Sequence, residues 1–190
     1  MPSIFVASLA SRIRAMNSLW ERAAADMTLE QVNHRERPGV LPAAFSFSHF
    51  ITGQDSAVSA HFLGEAPLWE RGDWARRVGV NGTRFARGTP VAEAERLRFG
   101  DLDAWRAYLC AVVARTGQVP GTLTEELLAE VVIPALPPAM ADSYCALIVG
   151  PGNPVRKLEV LECFVYQHGL RHLGELEHAR ALVGLGGMTG

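Results

Sequence analysis

Two histidines four residues apart, followed by a carboxylate, stand near the end of the chain in "FVYQHGLRHLGELEHARALVGL", residues 164–185. On an α-helix each residue turns about 100°, so His168 and His172 share one side, roughly 6 Å apart, and can grip one ion together. Seven residues bring the helix nearly back to the same heading, which puts Glu175 almost directly below His168. Leu161, Val165, Leu176 and Ala179 continue that face. Two imidazoles and a carboxylate therefore interrupt an apolar stripe, where unpartnered polar groups are costly. His178 points elsewhere and reads as a surface residue. The pair alone leaves two readings open: a metal site, or histidines that are satisfied in the core or solvated.

A metal site needs a further ligand, and His34, His49 and His61 are the candidates. His34 lies in the polar, loop-like "VNHRERPG". His61 follows His49 by twelve residues, about 120° round a helix, so the two cannot face one ion. His49 has the better neighbourhood. Ser46, Gly53, Ser56 and Ala60 form a small, polar stripe with it, while Phe47, Ile51, Val58 and Phe62 form the apolar one. Small neighbours leave room for an ion and a ligand, although a helix turning this stripe to water explains the pattern equally well. Gly53 inside a helix costs roughly 1 kcal/mol relative to alanine, which either an open site or close helix packing would justify. Gln54 points about 140° away and is expected on the surface.

These side chains require helices to position them. With 190 residues, 48% apolar and 20% charged, the chain is expected to form a single domain, 1–190, with a full hydrophobic core. A net charge of −2 offers no electropositive field for nucleic acid or anionic lipid. No apolar run reaches about 18 residues, so no membrane span is expected. The apolar patch of "MPSIFVASLASRIR" precedes its arginines, the wrong order for a secretory signal, so the expected compartment is cytoplasmic. Cys110, Cys145 and Cys163 sit in apolar runs and read as small buried thiols, with a catalytic thiolate as the rival. "NGT" at 81–83 reads as a turn.

Apolar periodicity predicts long helices over about 4–25, 42–62, 101–117 and 154–183. Thr28 and Gln31 have capping-box spacing for a short extra helix, as do Thr122 and Glu125. The last helix is expected to start at Asn153-Pro154, a cap followed by proline. Residues 64–100 and 132–153 read as long connections, the first anchored or opened as a cavity mouth by Trp69 and Trp74 and with a hairpin possible in 76–99. Little alternates with period two. The fold class is all-α, a four-helix bundle with long connections between helices 2–3 and 3–4, an architecture whose interior hosts metals readily.

The chain resembles the DinB/YfiT-like superfamily of bacterial metal-binding four-helix bundles. The match consists of His49 in "FSFSHFITGQD" and the last-helix pattern His168, His172, Gly174, Glu175, Arg180 and Gly184. It spans roughly residues 10–185, although the two long connections match no signature. Members carry Gln or Glu at the position of Glu175. The resemblance implies that His49, His168 and His172 surround a divalent ion. Three neutral imidazoles suit zinc or nickel, with iron(II) and copper as further fits. Three protein ligands and an open position are the catalytic style of zinc site.

Relatives are similar in using such sites for transfer or isomerisation with mycothiol or bacillithiol. The implied function is a metal-dependent thiol S-transferase, isomerase or hydrolase, in which a low-molecular-weight thiol or water attacks a small electrophile. Glu175 is expected to accept a proton or hydrogen bond, and Arg180 either to hold an anionic substrate group or to complement the helix C-terminus. The alternative is a non-catalytic or vestigial metal-binding protein of stress response or assembly. The expected partners are a small-molecule substrate and a second copy of the chain, the first and third helices offering candidate faces for a homodimer, with no nucleic acid and no membrane.

Overall fold

The computed structural model describes residues 3–80 and 88–188. Among the described residues the chain is all-α apart from one two-stranded sheet. Helix α1 spans Ile4–Asp26 and starts where the Ser3 hydroxyl accepts from the Val6 amide. Helix α2, Leu29–Asn33, opens with the predicted capping box, Thr28 Oγ1 accepting from Gln31 N and Gln31 Oε1 from Thr28 N. Helix α3 spans Ala43–Val58 and widens into a π-helical turn, Ser59–Leu63, that stops at left-handed Gly64 (φ 64°).

The first connection contains three short helices: α4 (Leu68–Arg71), α5 (Trp74–Val78) and α6 (Val91–Ala94). The possible hairpin of 76–99 forms no strand among the described residues, and the expected turn at 81–83 lies outside them. Helix α7 spans Leu102–Thr116. Helix α8, Glu125–Ala129, is capped by Thr124 rather than Thr122, whose hydroxyl donates instead to the Val119 carbonyl.

Strand β1 (Val131–Ile133) pairs antiparallel with β2 (Val155–Arg156), either side of α9 (Tyr144–Val149). The last helix consequently starts three residues later than expected. Positive-φ Gly150 and Gly152 turn the chain back, Asn153 Nδ2 bonds the Val149 carbonyl, and residues 155–156 join the sheet. Helix then runs continuously as α10 (Lys157–Glu159), a π-helical segment (Val160–Gln167) and α11 (His168–Leu182), closed at Gly184 (φ 79°).

Helix α1 packs on α7, α7 on α3, α3 on α11, and α11 with its π-helical lead-in back on α1. This ring surrounds a core of Leu9, Ile13, Met16 and Trp20 from α1, Phe47, Phe50 and Ile51 from α3, and Trp105, Tyr108 and Leu109 from α7. Leu161, Val165, Leu173 and Leu176 close it. No helix among the described residues is long and apolar enough to cross a membrane.

Buried Asp55 of α3 ties the first connection to the core. Its oxygens accept from the Leu68 and Trp69 amides at 3.0 and 2.9 Å, from Ser59 Oγ at 3.2 Å and from Tyr108 Oη at 3.0 Å. One carboxylate thus caps α4 and fastens α7 to α3. Trp69 and Trp74 pack against Tyr108 here, as anchors of the connection.

Candidate metal centre

Helix α3 brings His49, and α11 brings His168 and His172, to one place inside the ring. Their ligand nitrogens all lie within 4.8 Å of one another. His168 Nε2 is 3.3 Å from His49 Nε2 and 3.0 Å from His172 Nε2. Phe45 stacks parallel on the His49 ring at 5.5 Å, and Phe50 meets His168 edge-on at 5.8 Å, so aromatic walls hold both rings. A glycine at 169 lets α11 approach closely, since a Cβ there would overlap Met16 Sδ and come within 2.6 Å of Phe50 Cζ.

The ring tautomers follow from the second contact of each imidazole. His172 Nδ1 donates to Glu175 Oε2 at 2.6 Å, which in the neutral ring leaves Nε2 bare. The His168 ring hydrogen-bonds the Phe164 backbone, while its Nε2 faces the other histidines. With both rings neutral, two unprotonated nitrogens face each other at 3.0 Å, an arrangement that a cation would bridge. The spacing suits one. Nitrogens held tetrahedrally about 2.0–2.1 Å from an ion lie about 3.3 Å apart.

Electrostatics keep the site ready for a cation. Burial, then the neighbouring His172 and His49 and the Arg171 guanidinium, push the His168 pKa down to about 3. At neutral pH its lone pair is free. Burial alone would raise the Glu175 carboxyl, but the hydrogen bond and charge of His172, the Ser46 hydroxyl and Arg171 hold it below the usual carboxylate range. Ser46 Oγ donates to the same Glu175 oxygen at 3.3 Å. The carboxylate stays ionised and half-exposed, and it orients His172 from behind.

Five predicted residues fall in distinct places. His49, His168 and His172 converge, and Glu175 supports them. Arg180 stands eight residues beyond His172, about 12 Å along the helix. It is buried, bonded to the Gly186 carbonyl at 3.3 Å and 3.6 Å from Asp26 Oδ2, so it ties the chain's end to α1. His34 is solvated beside Glu36, His178 is exposed, and His61 stands outside the cluster. A Cβ at position 53 would make only ordinary contact with His168 Cε1, at 3.8 Å. Helix packing therefore does not demand Gly53, and its bare face opens space beside the triad.

Two expectations are corrected. Gln54 is fully buried and donates to Thr116 Oγ1 at 2.9 Å, because α7 covers the side of α3 that lies about 140° from His49. Cys110 is exposed, since its side of α7 faces outward; Cys145 and Cys163 are buried as expected. Asp55 and the Ser46–Glu175 bond were not anticipated. A lone aspartate within an apolar helix was the available signal for the first. The second carried none, because its partners are 129 positions apart.

No family model matches the chain, and no curated protein matches it. Among solved structures it is similar to a conserved protein from Enterococcus faecalis, with 19% identity and a TM-score of 0.73 over 96% of this chain and 98% of that one. At that identity the likeness establishes a common fold.

Proposed function

We propose that the chain is a DinB-like metal-binding helix bundle that works as a metal-dependent enzyme on small molecules. His49, His168 and His172 would hold a divalent ion, zinc or nickel by donor type, with iron as a further fit. The supporting observation is the facing pair of Nε2 atoms, 3.0 Å apart, with the His49 nitrogen 3.3 Å from that of His168. When bound, an ion with an open position supplies Lewis acidity that favours the anion of a coordinated water or thiol near neutral pH. Glu175 keeps the His172 ring aimed through Oε2, which also takes the Ser46 hydroxyl, so Oε1 is the oxygen available to receive a proton. Gly53 leaves the entering molecule room.

Metal analysis of protein purified without an affinity tag or chelator tests the first half. One equivalent of a transition metal is expected, and none from His168→Ala. For the second half, loaded protein is incubated with a panel of low-molecular-weight thiols and electrophiles. Equal background rates for wild type and His168→Ala would sink the enzymatic reading. A second reading, a metal-binding protein without turnover, draws support from one observation. A surface cavity of about 530 Å³ is lined by residues 25–29, 100–103 and Arg106, and the triad is not part of that lining.

A further inference from the structure

We propose that Arg171 is the anion-binding residue beside the triad, and that the ligand entering there carries a carboxylate. The inference rests on the metal reading above and adds the charge of the ligand. Arg171 follows His168 by three residues and precedes Glu175 by four, so its side chain rises along the flank of the triad face. It is exposed. Its positive charge reaches both His168 and Glu175.

Among the described residues Arg171 forms no hydrogen bond and no ion pair, although Glu175 stands at the spacing that normally produces one. Glu175 instead turns Oε2 to His172 and Ser46. The result is an exposed, planar five-donor group with no carboxylate hydrogen-bonded to it at the edge of the candidate metal cluster, the Glu175 charge lying within its reach. A carboxylate matches that group by two parallel hydrogen bonds. Arg180, the other arginine of this helix, is buried, turns its Nη2 to Asp26 and Gly186, and stands about 12 Å along the helix from His172. A ligand that met the triad with one end and Arg171 with a carboxylate at the other would be held at two points, across the space Gly53 leaves open.

The test uses cobalt(II)-loaded protein and two thiols of similar length, 3-mercaptopropionate and 2-mercaptoethanol. Each loses its proton to solvent on coordination, and binding is followed by the thiolate-to-cobalt charge-transfer band. Wild type is expected to prefer the mercaptocarboxylate by about tenfold, the scale of a hydrogen bond to a charged group. Arg171→Gln should abolish that preference while leaving cobalt content and mercaptoethanol affinity unchanged, and Arg171→Lys should restore part of it. A preference that survives in Arg171→Gln, or that is absent from wild type, overturns the assignment while the metal reading stands. Protein that takes up no cobalt overturns both.

Discussion

Glu175 has the clearest measurable consequence among single residues. Its carboxylate fixes the tautomer of His172, so Glu175→Ala is expected to weaken metal binding by about 10–100-fold. Glu175→Gln, which retains an acceptor oxygen, should lose less. Isothermal titration calorimetry with zinc separates the two, and equal affinities for all three proteins would remove Glu175 from the site. At this scale much was legible in the sequence. Spacing alone gave His168, His172 and Glu175, because a helix converts interval into direction. Its small neighbours favoured His49 over His34 and His61, and the resemblance joined it to the pair, since no local rule links positions 119 apart. Gln54 and Cys110 were misplaced because a helix has more than two sides, and which ones are covered depends on neighbours that the local pattern does not name.

Helices and their junctions carry the next two expectations. Gly169→Ala would force Met16 and Phe50 away from α11, at a cost of about 1–3 kcal/mol. Thermal unfolding should register that loss, and, because Phe50 also walls His168, metal affinity should fall with it. The Asp55 junction responds to pH. Burial, then the charge of Asp55 and the hydrogen bond to it, raise the Tyr108 phenol above its ordinary value of 10.0. The unfolded chain releases that proton first, so this contribution to stability is complete below about pH 10 and is lost as pH rises above it. Urea midpoints at about pH 8 and about pH 11 should diverge in wild type and converge in Tyr108→Phe. The four long helices were readable from apolar periodicity and caps. The strand pair was not, because two- and three-residue strands hold too little pattern, and β2 borrowed the residues expected to begin a helix.

For the molecule as a whole, an ion that binds the folded chain and not the unfolded one adds stability by mass action. Zinc at a hundred times its dissociation constant is expected to contribute about 2.7 kcal/mol. His49→Ala should keep the apo protein's melting temperature within a few degrees and lose the metal-induced rise. A rise of equal size in that variant would place the ion elsewhere. The ring of helices that gathers the site was foreseeable as a class of architecture. The route of the two connections was not, because it depends on pairings such as Asp55 with residues 68, 69 and 108.

The candidate site draws on α3 and on α11, and its three histidines are not all present until residue 172 has been synthesised. An ion that needs all three would therefore play no part in the early folding of this chain. Such an ion would be captured once α11 has closed against α3, so metal uptake by nascent chains of increasing length is expected to begin only after residue 172 has emerged.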